Sequence, residues 1–163
     1  MTIGLLKTIL DKRPDNVRLL GMDLGSKTIG LALSDPMQSI ATPLKTIERT
    51  KFTRDIEALA TVIKDYDVGG FVLGYPLNMM DGTEGPRCQS VRDFAIEFAK
   101  YPDIAGKDPW IAYWDERLST ETVDSFLVKD VDMSRTKRKQ VIDKMAAQHI
   151  LQGALDFIQM TKF

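Results

Sequence analysis

The chain has 163 residues, of which 44% are hydrophobic and 28% charged, with a formal net charge of −1; this is the size and balance of one ordinary globular domain, and it excludes a disordered chain and a uniformly basic one. Cys88 is the only cysteine, which excludes an internal disulfide framework or a cysteine-rich zinc site and fits a reducing cytoplasm. No apolar stretch approaches the roughly 18 residues of a membrane span and the N-terminus lacks the order of a signal peptide, so no membrane partner is expected and any phosphate binding must come from local basic patches.

At the start of the chain, Ile3, Leu6, Ile9 and Leu10 recur at helical spacing and predict a short amphipathic helix over 1–12, closed by Pro14. This sets 1–16 apart as a helical extension and leaves 17–163 as the main domain. Residues 17–35, VRLLGMDLGSKTIGLALSD, hold two apolar runs joined by Gly25-Ser26-Lys27-Thr28. So short a link predicts an antiparallel hairpin, because a parallel return needs a crossover of a dozen or more residues. Asp23 falls at the end of the first strand, and alternation points it to the face of Val17, Leu19 and Gly21. Gly21 and Gly30 leave room for a helix, another backbone or a substrate to come close. An Asx-type turn is the plain alternative for Asp23.

Beyond the hairpin, residues 39–48 predict a third strand that Pro43 keeps partly at an edge. Thr53 is placed to cap a helix running to about Tyr66, with Ile56, Leu59, Ala60 and Ile63 as its buried stripe. Gly69-Gly70 stops that helix before a short apolar strand at Phe71-Val72-Leu73. The segment GYPLNMMDGTEG reads as a loop outside the end of this strand, where ligands sit in open α/β sheets. Pro86 then opens a helix carrying Val91, Phe94, Ala95 and Phe98. Residues 110–114 form another apolar strand, leading into Asp115-Glu116-Arg117. Ser119 or Thr120 caps a helix with Val123, Phe126 and Leu127 inward, and a last helix spans about 135–159. Strands first paired as a hairpin and then alternating with helices give an α/β chain with a mixed sheet.

Asp23, Glu116 and Asp143 each lie at the margin of an apolar element. Asp143 shares a helix face with Ala146, Ala147, Ile150 and Ala154, so it must be hydrogen-bonded, ion-paired or metal-bound. If the three acids meet at one sheet edge, their repulsion raises their pKa values unless a divalent cation neutralises them. Oxygen ligands without histidine or cysteine suit Mg²⁺ or Mn²⁺, and such a cluster favours phosphate chemistry. Structural ion pairs, Asp143 with Lys139 and Glu116 with Arg117 or a lysine, are the alternative for each acid taken singly. Asp115 and Glu116 face opposite sides of a strand, and alternation alone leaves open which one reaches the cluster.

Arg135, Lys137, Arg138 and Lys139 form the densest basic run, at the start of the last helix. Cations there oppose the helix macrodipole, which favours a phosphate partner over a merely solvated helix end. Lys27 in the hairpin turn and Arg117 beside the acids are further candidates for phosphate contact. His149, Cys88, Trp110, Tyr113 and Trp114 read as structural residues.

Four segments, DLGSKTIGLALSD, GYPLNMMDGTEGPR, WDERLST and VIDKMAAQHILQGALD, occur in an order and at spacings that resemble the YqgF/RuvX family of pre-16S rRNA nuclease and Holliday junction resolvase-like proteins. The likeness runs from about Arg18 onward. It implies an RNase H-like fold, a mixed five-stranded sheet flanked by helices, and a metal-dependent acidic site in which Asp23, Glu116 and Asp143 are both catalytic residues and metal ligands. Asn78 and Asp81 would lie near substrate, although the family's Asn-Met-Asp-Gly is one residue longer here because of Met79 and Met80.

On this reading the chain is a cytoplasmic, Mg²⁺- or Mn²⁺-dependent endonuclease that trims the 5′ end of precursor 16S rRNA by two-metal hydrolysis. Its partner is structured RNA, and it acts as a monomer or homodimer. Three rivals stand beside it. Cleavage of branched four-way DNA requires paired sites and hence a dimer. An actin- or sugar-kinase-like ATPase needs a second lobe that this length lacks. A non-catalytic nucleic-acid-binding module would keep the fold without the chemistry.

Overall fold

The computed structural model describes residues 2–77, 81–116 and 135–162. The helix expected near 119–127 and the site candidates Asn78 and Arg117 lie outside the described residues. The elements are β1 (Thr2–Leu5), α1 (Leu6–Ile9) with a 3₁₀ turn (Leu10–Lys12), β2 (Arg18–Leu24), β3 (Thr28–Ser34), β4 (Ala41–Glu48), α2 (Phe52–Tyr66), β5 (Val68–Tyr75), α3 (Pro86–Ala99), α4 (Pro102–Ala105), β6 (Trp110–Asp115) and α5 (Arg135–Met160). They build one mixed sheet of order β1-β6-β5-β2-β3-β4. The hairpin pair β2/β3 and the edge pair β3/β4 are antiparallel, whereas β5 runs parallel to both β2 and β6.

Alternation along each strand feeds two cores. Leu20, Met22, Ile29, Leu31, Phe71 and Leu73 point to the face covered by α2 and α3. Leu19, Ala32, Val72 and Ala112 point to the other face, where Ala147, Ile150, Leu151 and Ala154 of α5 cover them. Small residues on this second face let α5 lie close. A Cβ on Gly21 would come within 2.7 Å of the Leu151 Cβ, so the helix occupies the space left by the missing side chain.

The sheet has six strands, one more than expected, because the expected helix over 1–12 is helical only from Leu6 to Lys12 and Thr2–Leu5 form a strand. Thr2 and Ile3, both β-branched, pair in parallel with Trp110 and Ile111 of β6. The apolar residues that mimic a helical stripe are instead divided between β1 and the single turn α1, where Leu6 and Ile9 are buried. The indole Nε1 of Trp110 donates to the Ile9 carbonyl at 2.8 Å and holds that turn down.

Gly69-Gly70 also lies inside a strand. α2 ends one step earlier, at Asp67, whose φ of 53° closes the helix in the left-handed region. The glycines are needed in β5 because Val17 and Leu19 lie over them, 2.6 and 2.7 Å from where Cβ atoms would be. α2 begins at Phe52 with no side-chain cap; Asp55 instead accepts the Thr50 N–H at 3.0 Å. Among the described residues, no helix is long and apolar enough to cross a membrane.

Candidate active site at the sheet edge

Asp23 lies near the C-terminal end of β2, opposite Gly30 of β3. The backbone of α5 crosses at Gly30, and this brings Asp143 to the same face. Asp143 is buried; its Oδ2 accepts the Thr28 hydroxyl at 2.6 Å, and its Oδ1 lies 3.7 Å from Nζ of Lys139, one helical turn earlier. Lys139 is thus the ion-pair partner that its spacing predicts.

Glu116 follows β6 directly. Alternation places it with Trp110, Ala112 and Trp114, which face α5, and sends Asp115 to the side of Ile111 and Tyr113. Between β6 and β2 runs β5, whose Gly74 has no side chain on this face. The Glu116 carboxylate fills that gap, with Oε1 2.4 Å from where a Gly74 Cβ would stand. It reaches Asp23, and the two carboxyl groups hydrogen-bond to each other.

The electrostatics follow from that contact. Burial pushes Glu116 up to about 8, with the Asp23 charge, the shared hydrogen bond and Asp115 acting in the same direction and Arg87 opposing. Asp23 is also raised, first by burial and then by the Asp143 charge, against the hydrogen bond from Glu116 and the charges of Arg87 and Lys139. Two carboxylates side by side in a partly dry site hold a proton between them when no cation is present.

Of the basic candidates, Lys27, Arg135 and Lys139 line one cleft of about 540 Å³ together with Thr28, Arg49 and a single acidic residue, Glu48. Lys137 lines a neighbouring cleft of about 370 Å³ with Lys45 and Lys144, and Arg138 is half-buried and lines neither. Asp81 is exposed and accepts from Thr83, away from the acids' hydrogen bonds.

Sequence reasoning passed over Thr28, Arg49 and Arg87. Arg87 is the last residue of GYPLNMMDGTEGPR, so its place in a recognised segment was a usable signal. Arg49 had none, for it follows an edge strand; its backbone N–H donates to Lys27 at 2.8 Å and its guanidinium to the Gly25 carbonyl at 2.6 Å. The loop after β5 is fastened at its far end by Arg92, which bridges Tyr75 and Glu84.

The family described as "RuvX: Holliday junction resolvase" matches residues 17–157. The chain belongs to the RuvX family. RuvX relatives named "Putative pre-16S rRNA nuclease" include one from Rhodospirillum centenum, 54% identical over 156 residues and covering 96% of this chain and 82% of the relative. Another, from Paramagnetospirillum magneticum, is 60% identical over 139 residues, 85% of each chain. Among solved structures, the yeast mitochondrial Holliday junction resolvase Ydc2 superposes with a TM-score of 0.56 at 13% identity, over 96% of this chain and 85% of that one. The RuvC of T. thermophilus, in complex with a Holliday junction substrate, gives 0.53 at 12% identity, over 88% of this chain and 96% of that one. At such identities the likeness is one of fold, and it gives this RuvX member the RNase H-like architecture expected from its motifs.

Proposed function

We propose that the chain is a divalent-metal-dependent endonuclease that processes the 5′ end of precursor 16S rRNA, with Asp23, Glu116 and Asp143 as its catalytic acids. The observation that carries this reading is the gathering of three acids at one sheet edge: Glu116 fills the gap over Gly74, and α5 brings Asp143 over Gly30, the cross-strand neighbour of Asp23, with Lys139 of the adjoining cleft one helical turn away. The name borne by the RuvX relatives supports the choice of substrate.

The acids suit a hard cation. Among the described residues, no three histidine, cysteine or acidic side chains are gathered closely enough to enclose a metal ion. The raised carboxyl pair nevertheless offers oxygen ligands alone, in a place where positive charge would replace the shared proton, and Mg²⁺ is commonly held by one or two carboxylates with substrate oxygens completing the shell. Asp23 and Glu116 would hold Mg²⁺ or Mn²⁺, with Asp143 approaching from α5. Bound there, such ions supply activation of water and neutralisation of charge on the phosphoryl group, the elements of two-metal hydrolysis.

The chain's own residues then do the positioning. The Thr28 hydroxyl orients Asp143, and Lys139 partly balances its charge. Lys27, Arg135 and Lys139 line the cleft beside the acids and bind phosphates of the substrate backbone. Work on a ribosomal precursor would place the protein in the cytoplasm, and a monomer suffices for a single cut.

The second reading, cleavage of four-way DNA, is favoured by the description of the family itself. It needs two sites acting together and therefore a dimer. The test offers a labelled 5′-extended 16S precursor and a mobile four-way junction with Mn²⁺, with chelator, and with Asp23→Asn. Metal-dependent cutting of the RNA, lost in the variant, is expected. Cutting of the junction alone would replace this reading with the resolvase, and no cutting of either would overturn both.

A further inference from the structure

The hairpin turn at residues 25–28 stands between two clefts, one beside α5 and one beside α3. The one beside α3, about 230 Å³, is lined by Gly25, Ser26, Arg49, Arg87 and Ser90 over an apolar floor that includes Val91. We infer that this Arg49–Arg87 cleft is a second phosphate subsite, holding the substrate backbone on the side of the hairpin turn opposite α5. The inference rests on the nuclease reading and extends it to the path of the strand.

The lining has the chemistry of an anion site. No carboxylate is in it, while two guanidinium groups and two hydroxyls are, and planar guanidinium forks match phosphate oxygens. Arg49 is fixed for the purpose: it donates to the Gly25 carbonyl at 2.6 Å, lies 3.8 Å from Asp55 and sits 5.9 Å from the centre of the Phe94 ring. Arg87 is exposed and makes no hydrogen bond or ion pair among the described residues. Asp55 partly balances Arg49, so an incoming anion is drawn chiefly to Arg87.

Position supports the same occupant. Leu24, the residue after Asp23, lines the cleft, and the charge of Arg87 opposes the raised pKa of both Asp23 and Glu116, so the cleft opens beside the acids. Ser26 and Arg49 line both clefts, so the two adjoin at the turn. A backbone with one phosphate at the acids can therefore set a neighbouring phosphate on Arg87 and others on Lys27, Arg135 and Lys139.

The test measures binding under chelator, so that no cleavage interferes, using labelled 2′-O-methyl RNA with single methylphosphonate linkages at successive positions. Arg87→Gln, at an exposed site, is expected to keep the wild-type melting temperature. Its affinity for unmodified RNA should fall about tenfold, with a salt slope shallower by about 0.7, the loss of one single-strand phosphate contact. At one linkage the methylphosphonate should weaken wild type and leave Arg87→Gln no weaker still; Ser90→Ala should show a smaller effect at the same linkage. Equal affinity of wild type and Arg87→Gln, or a penalty that is the same at every linkage, would overturn the subsite and leave the nuclease reading standing. Absence of nucleic-acid binding by the wild type would overturn both.

Discussion

The carbonyl oxygen of Asp143 lies over Gly30, so close that a Cβ on the glycine would stand 2.0 Å from it. Gly30 is also the cross-strand neighbour of Asp23. The packing of α5 on β3 and the approach of Asp143 to Asp23 are therefore one geometric event, permitted by a missing side chain. Gly30→Ala should push the helix off the sheet, since the atom it meets is backbone and cannot swing away. We expect a loss of about 1–3 kcal/mol, the usual cost of forcing an extra methyl into a packed interface. Denaturant midpoints check this; an unchanged midpoint would show that α5 can lie elsewhere.

Gly74→Ala acts on the other acid. Its Cβ would meet Glu116 Oε1 at 2.4 Å and Ile150 Cδ1 at 2.7 Å, both ends of side chains that can move. Stability should therefore fall less than in Gly30→Ala, while cleavage falls more steeply because Glu116 is displaced from Asp23. Single-turnover rates beside melting curves separate the two effects. A variant as active as wild type would mean that the Glu116 position over Gly74 is dispensable.

Thr28→Val removes the hydroxyl that Asp143 accepts at 2.6 Å, at nearly constant volume. Leaving a buried carboxylate short of a donor costs roughly 1–3 kcal/mol. Activity should drop with Thr28→Val and be largely restored in Thr28→Ser, which returns the hydroxyl. Equal rates for both variants would remove the orienting role.

Glu116 also gives the metal-free protein a pH dependence. Its carboxyl moves from an ordinary 4.5 to about 8 on folding, chiefly through burial, and Asp23 moves the same way. The folded state then binds more protons than the unfolded state between those values. This contribution to stability is complete below about pH 4.5 and is lost as pH rises through about 8. Without metal, the melting temperature should decline across that window more steeply than in Glu116→Gln, and Mg²⁺ should raise it more at the alkaline end. Parallel curves for the two proteins would contradict the assignment.

Much of this site was legible in the chain because strand alternation is local. The parity that aligns Asp23 with Leu19 and Gly21 holds in the structure, as does the helical face shared by Asp143, Ala147 and Ile150. What alternation lacked was knowledge of which face α5 would cover. Once it covers Trp110, Ala112 and Trp114, Glu116 is on its side and Asp115 is not. The misread start of the chain has a similar origin, since β1 finds its partner in β6 more than a hundred residues later and no local pattern reports that pairing. Gly69-Gly70 carried a true stop signal in isolation, but the side chains of Val17 and Leu19 gave the glycines a second use within a strand.

The central claim is that Asp23, Glu116 and Asp143 act together in metal-dependent cleavage. Single-turnover cleavage of the 5′-extended 16S precursor by wild type, Asp23→Asn, Glu116→Gln and Asp143→Asn, each with Mn²⁺ and with chelator, tests it most directly. Each substitution should lower the rate by at least about a hundredfold in folded protein, and chelator should bring wild type to the same level. Wild-type cleavage that survives chelator, or a wild-type rate in any one of the three variants, would contradict it.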